Sequence, residues 1–499
     1  MIRAPGEQQP RDLAFATSLL IDLSRLVPVD DQSAPVVELE IVDGGAPERP
    51  SIRECTTNGW FLTVTEGRVF LPRSVLELIA RVGGGVAEQG SEARDKYGRV
   101  PASENALVAE RLERSPVLSQ AAMLLSAAAR RAAARRPLRF VRPWPGTRRW
   151  AIAITHDLDV VAFWPIFSAL RFAELAAKRQ YRRVLQSARA AVAAAFGDPV
   201  LDGVTSLLAA EGRHGVRSTW FLLCGTPTLP SFARGDITYR VEEARPQQVV
   251  RDILESGGEV ALHGSFETIL STSLLTQQRR RLEAAVGTGV TGVRQHFLRM
   301  RPGPTQRAMR EAGFRYDGTF GFADRNGFRL GVADVVPGWD AAIGRPAGLD
   351  LVPLVWMDRS LSKYAGVEDP DMWVQDALEL AGEARAVEGL WTGLWHPNLV
   401  PALGYPGAPD AFETLLSGLC GKEPHIGTLQ ELASWRAARR SLRIRHWGHD
   451  GRSPDLVRPS DVRVPVEDED GRLDERLSAP LYRTSTGEER CRASVRRIY

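Results

Sequence analysis

Cysteine is scarce. There are four in 499 residues (Cys55, Cys224, Cys420 and Cys491), far apart and with no CxxC pair. That excludes a disulfide scaffold and a cysteine-built zinc site, and it suits a reducing compartment. Long apolar runs are missing as well, and no stretch approaches the roughly 18 residues of a membrane helix. Glu7, Asp12 and Asp22 break up the short apolar patch near the N-terminus, which argues against a secretory signal. Together these absences give the expectation of a cytoplasmic protein. A strong excess of one charge is lacking too: 64 Lys and Arg stand against 61 Asp and Glu, a net +3. A dedicated nucleic-acid binder is normally clearly basic, so no nucleic-acid partner is expected. No internal repeat is found, so a solenoid or propeller is not indicated.

What is present is ordinary globular usage, 43% hydrophobic and 25% charged. The length allows about three domains at about 150 residues each, or one large α/β barrel with additions. Residues 1–145 read as a mixed α/β region with a helical linker. Strands are expected at 36–42 and 60–65, and helices at 74–82 and 104–136. From Arg114 to His156 there are nine arginines and no acid. The plainer reading of that stretch is a solvated helix face and linker. The sharper one is a surface for anionic headgroups and peripheral membrane association.

Residues 146–442 have a different texture. WAIAIT (150–155), STWFLLC (218–224), EVALH (259–263) and GLWTGLWH (389–396) are continuous apolar runs. Such runs suit strands buried on both faces of a parallel sheet. Helical stretches at 166–195, 245–256, 272–286, 304–312 and 372–387 lie between them, which implies βαβ units in an α/β layer or barrel. Residues 443–499 hold 12 Arg and 11 acids and read as an extended polar tail. A small docked hairpin around RVPVEDEDGRLDERL is the other reading.

Chemistry-bearing residues sit where the apolar runs end, as they do at the C-terminal ends of strands in such folds. Asp157 and Asp159 are two apart, so a strand turns both to one side and His156 to the other. Two neighbouring carboxylates repel unless a cation lies between them or one is protonated. They therefore read as a metal ligand and a general base, or as a strand-end acidic pair. His263 can bind a metal, and Glu267 shares its face if the chain turns helical there. Arg294 can hold a carboxylate in its guanidinium fork. His396 can protonate a leaving group near neutral pH. Trp391 and Trp395 read as barrel packing rather than a sugar platform.

Taken together, these pieces resemble the polysaccharide deacetylase superfamily, the NodB-homology carbohydrate esterases. THDLD (155–159), GGEVALHGSFET (257–268), GVRQHFLR (292–299), YDGTFGFADRNGFRLG (316–331) and LWHPN (394–398) resemble its successive motifs, the first in the Thr-His-Asp-x-Asp form of one bacterial branch. DKYGRVPASEN (95–105) resembles the segment that precedes the catalytic domain in that branch. The resemblance spans about 95–440.

It implies a distorted (β/α) barrel and a divalent metal, usually zinc. Carried over by position, Asp157 is the general base and Asp159 and His263 are metal ligands. Arg294 holds Asp157, and His396 is the acid that protonates the leaving amine. The usual second motif carries another His four residues after the first, where this chain has Glu267. Either Glu267 ligates through oxygen, or the third ligand is lost. His156 or His296 takes that place only if the backbone turns it inward.

The expected function is metal-dependent hydrolysis of a carbon–nitrogen bond, N-deacetylation of a bacterial saccharide or glycan precursor. A metal-independent hydrolase on the same barrel and a non-catalytic carbohydrate-binding protein are the alternatives. A glycosyltransferase reading of Asp157-Leu158-Asp159 leaves His263, Arg294 and His396 without roles.

Overall fold

In the computed structural model the described residues are 2–4, 10–30, 36–44, 52, 62–134, 136, 138–161, 164–194, 197–446, 455–457, 464–473, 481–483 and 489–491. The centre is a mixed α/β unit on a curled ten-stranded sheet. Its strands are β1 (Ala151–Leu158), β2 (Thr219–Leu223), β3 (Glu259–Gly264), β4 (Gly292–Gln295), β5 (Tyr316–Asp317), β6 (Val336–Asp340), β7 (Arg345–Leu351), β8 (Trp356–Met357), β9 (Leu390–Leu394) and β10 (His425–Ile426). The order is β6-β7-β5-β4-β3-β2-β1-β9-β8, with β10 also against β1. Every pairing is parallel except β6 with β7. Among the described residues the ladder stays open, ending at β6 and β8, so the sheet curls without closing.

β1 is the pivot. All eight of its residues are buried, as its unbroken apolar run requires when helices cover both faces. One edge pairs with β9, from Ala151 opposite Leu390 to Thr155 opposite Leu394. The other edge is shared. β10 takes Ala151 and Ile152, and β2 takes Thr155 to Leu158. This split leaves the C-terminal half of β1, which carries Asp157, paired with β2.

The expected helices form with two interruptions. The 104–136 stretch divides into Ala106–Ala109 and Val117–Ala133 around Pro116, which lacks the N–H an uninterrupted helix needs. The 166–195 stretch divides into Trp164–Ala177 and Tyr181–Ala193, with Arg179 in the left-handed region at φ 56°. A further helix, Pro199–His214, starts on an Asp198 N-cap with Pro at its first position.

The N-terminal region is a four-stranded sheet of Ile2–Arg3, Val37–Val42, Arg68–Pro72 and Thr63–Thr65, packed on helices Arg73–Gly83 and Val117–Ala133, with helix Arg11–Ser24 against those two helices. The expected strand at 60–65 begins partly outside the described residues. Its core is continuous with the central unit, because Leu19, Ile79 and Leu118 cluster with Phe320, Leu330 and Trp339.

Much of the arginine-rich stretch is neutralised within the chain. Arg114 pairs with Asp376, Arg148 with Glu423, and Arg149 with Glu388 and Glu467. From the tail, Val466–Glu467 pairs antiparallel with Phe140–Val141, and Glu467 also accepts from Arg142. Most of the rest of the tail lies outside the described residues. Among the described residues no helix is long and apolar enough to cross a membrane.

Candidate active site

The C-terminal ends of β1, β4, β8 and β9 converge on a cavity of about 480 Å³, and His263 at the end of β3 lies behind Asp157 and Asp159. β1 brings Asp157 and Asp159 to it, as the two-residue period of a strand dictates. The bend after Leu158 is held by the Tyr239 hydroxyl on the Leu158 carbonyl and the Thr238 hydroxyl on the Asp159 carbonyl, both at 2.8 Å. His156 points to the opposite face, between the Trp395 carbonyl and Glu211, with its ring against Trp220.

Asp157 is almost fully buried. Its Oδ1 accepts from Arg294 at 2.7 Å. Arg294 also donates to the Thr155 hydroxyl and the Gly318 carbonyl, both at 3.0 Å, and lies over the Phe221 ring. The guanidinium is fixed on three sides, so it fixes the carboxylate. Oδ2 is left facing the cavity, 3.6 Å from His263 Nε2.

Asp159, His263 and His296 form the one group among the described residues whose ligand atoms are close enough to share a cation. Asp159 Oδ1 lies 3.3 Å from His263 Nε2 and 3.5 Å from His296 Nε2. Both imidazoles are oriented from behind. His263 Nδ1 donates to the Arg294 carbonyl at 2.9 Å, and His296 Nδ1 donates to Asp236 at 2.8 Å. With the proton on each Nδ1, both Nε2 lone pairs face the same point, the arrangement that metal-binding imidazoles use. Asp159 Oδ1 is buried and has no hydrogen-bond partner. A buried, unpaired carboxylate oxygen is costly unless a cation satisfies it. The donor set, two nitrogens and one oxygen with room beyond them, fits zinc or a similar divalent ion. With no cation between them and the imidazoles protonated, burial pushes the Asp159 carboxyl upward, but His296, His263 and His396 more than reverse this and hold it well below the usual range.

The backbone just after His296 is unusual. Immediately after β4, Phe297 and Leu298 both adopt positive φ, 60° and 52°. Two successive non-glycine residues in that region are strained, and such strain clusters at functional sites. The turn is clamped. Phe297 stacks between His296 at 3.9 Å and Tyr97 at 5.1 Å, and its carbonyl accepts from Arg99.

Glu267 does not join the group. Its side chain is 61% exposed and pairs with Arg234 at 2.6 Å. His263 is still in β3, and Glu267 falls in the short 3-10 turn Phe266–Leu270. The four-residue spacing therefore does not bring the two to one face as an α-helix would. Glu267→Gln should leave bound metal unchanged and shift stability by less than about 0.5 kcal/mol, as exposed substitutions do. Metal analysis alongside a melting curve checks both.

His396 follows β9, with Nε2 3.7 Å from Asp159 Oδ2. Asp358, fully buried after β8, accepts from His396 Nδ1 at 2.8 Å and from its backbone N–H at 2.5 Å. Burial alone would lower the His396 pKa, but Asp358 and then Asp159 outweigh it and the shift is upward. That is the direction a proton donor needs. Trp391 and Trp395 are core. Trp395 packs among Trp356, Trp373 and Phe412.

Two contributors escaped the sequence reading. Asp358 ends LVPLVWMD, an apolar run closing on an acid, the same signal that marked Asp157. Asp236 lies in a loop, GDITY, with no such signal.

No family model matches the chain, and no curated protein matches it. Solved structures do. A provisionally named polysaccharide deacetylase from Mycobacterium smegmatis is 21% identical with a TM-score of 0.39, over 60% of this chain and 93% of that one. An allantoinase is 16% identical with a TM-score of 0.38, over 59% and 93%. A peptidoglycan deacetylase from Bacillus subtilis is 15% identical with a TM-score of 0.30, over 59% and 95%. Each of these likenesses is at low identity and a TM-score below 0.5.

Proposed function

We propose that this protein is a divalent-metal-dependent amide hydrolase that removes an N-acyl group from a saccharide. The observation that carries the reading is the unpaired Asp159 Oδ1 facing two imidazoles whose Nδ1 protons are already committed. Asp159, His263 and His296 would hold the cation. When bound it supplies a Lewis acid for water and for the amide carbonyl. Asp157, with one oxygen fixed by Arg294, offers Oδ2 to take a proton from water. His396, oriented by Asp358, holds a proton on the far side of Asp159 for the departing amine. One base and one acid thus flank the ligand group, and each is held by its own buried partner. The saccharide part of the reading rests on the five sequence motifs and their order.

The test is elemental analysis of purified protein together with acetate release from N-acetylglucosamine oligomers. About one zinc or other transition metal per chain, lost in His263→Ala, and metal-dependent acetate release are expected. Protein that stays metal-free after reloading sinks the metal centre. Metal-loaded protein that releases neither acetate nor free amine sinks the hydrolase.

A further inference from the structure

The chain between β8 and the following helix makes a π-helical turn, Ser360–Ala365, with Arg359 as its N-cap. Such turns are rare and concentrate at functional sites. This one begins directly after Asp358, the residue that orients His396, and sends Arg359, Ser362, Lys363 and Tyr364 to the lining of the cavity.

The cations of this cavity divide into two kinds. Arg99 is paired with Asp95, and Arg171 with Glu174 and Glu368. Arg359 and Lys363 have no carboxylate at ion-pair distance among the described residues. Arg359 is held by neutral acceptors, the Tyr405 hydroxyl and, at 3.1 Å, Asn398 Oδ1, and it lies over the Tyr405 ring. Lys363 is exposed and sits 5.6 Å from the rings of Tyr97 and Tyr364. Neutral and aromatic partners make the direct contacts of both cations, while Asp358 and Asp159 act on Arg359 through space without an ion pair.

An independent observation points the same way. The Ser362 hydroxyl is buried, lines the cavity and has no hydrogen-bond partner. An unsatisfied buried hydroxyl in the same turn as two cations that make no direct ion pair among the described residues is a set of donors lacking an acceptor.

We propose that Arg359, Ser362 and Lys363 form a subsite for an oxyanion on the substrate, a phosphate ester or a carboxylate, an inference that rests on reading this cavity as the catalytic one. The subsite and Asp358 lie on one short segment, Asp358 just before the turn and Lys363 within it. Seating the anion therefore fixes the saccharide relative to His396.

Isothermal titration of the full chain with glucose, glucose 1-phosphate and glucuronate tests this, with and without a chelator so that binding to a metal is not counted. None of these probes carries an acyl group, so the readout does not depend on turnover. At least one charged probe should bind about tenfold or more tightly than glucose, equivalent to about 1.4 kcal/mol. Preference for one of them tells phosphate from carboxylate. Lys363→Met, at an exposed position that does not threaten folding, should remove most of the advantage. Lys363→Arg should keep it, and Arg359→Gln should remove it too. No advantage for either charged probe, or an advantage that survives both neutral variants, overturns the subsite. Acetate release with no charge preference leaves the hydrolase standing and the subsite refuted. Charge preference in metal-loaded protein that releases neither acetate nor free amine does the reverse.

Discussion

Asp157→Asn is expected to lower kcat for N-acyl hydrolysis by about 10²–10⁴-fold, the usual contribution of a positioned base, with bound metal near the wild-type level. Asn keeps the shape and can still meet Arg294 through its amide oxygen, but it cannot take a proton. Asp159→Ala, His263→Ala and His296→Ala should instead remove metal and activity together, because each takes away one of only three donors. His396→Ala gives a third pattern. It should cost about 10²–10⁴-fold on an amide and much less on 4-nitrophenyl acetate, whose leaving group departs without protonation. Measuring metal content and kcat on both substrates across these five variants separates the roles. If Asp157→Asn retains most of its amide activity, Asp157 is not the base. If His396→Ala loses amide and activated ester equally, His396 is not the acid.

The parts of this site visible in the sequence were those set by local periodicity. The apolar runs of β1, β2, β3 and β9 are long enough to read as buried parallel strands, and their C-terminal residues then follow. The alternation of Asp157, Asp159 and His156 needs nothing but the pleat. What sequence alone did not settle depends on backbone turns that no periodicity records. Glu267 shares a face with His263 only if the chain becomes α-helical after residue 263, and it continues instead as strand and a 3-10 turn. His296 stands two residues after Arg294, on the side the pleat predicts, but it lies just past the end of β4, where positive φ at Phe297 and Leu298 and a clamp from Tyr97 and Arg99 about 200 positions earlier set the turn. Asp236 comes from a loop. Short strands such as β5 and β8, two residues each, are too brief to show any period. The helix at Pro199–His214 did carry a local signal, Asp198-Pro199, which matches a capped start.

A second large effect is expected far from the cavity. Asp22→Asn should lower global stability by about 3–5 kcal/mol, the range for breaking one side of a buried ion pair. Asp22 closes the helix Arg11–Ser24, and three arginines of the helix Leu429–Ser441 converge on it. Arg436 meets both its oxygens at 3.0 and 3.2 Å, Arg440 meets Oδ2 at 3.2 Å, and Arg439 donates to its backbone carbonyl. Asp334 accepts from Arg436 and Arg439 and Asp350 from Arg440, further donors go to the Pro143 and Val335 carbonyls, and Arg439 Nε is buried without a hydrogen-bond partner. Burial, followed by repulsion from Arg436, pushes Arg439 down to about 9. It is the cation with least margin when a counter-charge is removed.

The same cluster sets an acid limit. Burial raises the Asp22 pKa, but Arg436, Arg440 and Arg439 overcome it and bring it down to about 2. A carboxyl with a folded pKa below its unfolded value near 3.9 stabilises the fold above about pH 4, and loses that contribution as pH falls toward 2. The shift corresponds to about 2–3 kcal/mol. Urea midpoints at pH 7 and pH 3 should therefore converge in Asp22→Asn relative to wild type. Asp22→Asn combined with Arg436→Met should recover much of the loss, because removing both partners leaves fewer buried charges unpaired. A wild-type midpoint in Asp22→Asn at pH 7 would show that this contact between the N-terminal helix and the last helix of the central unit is incidental to stability.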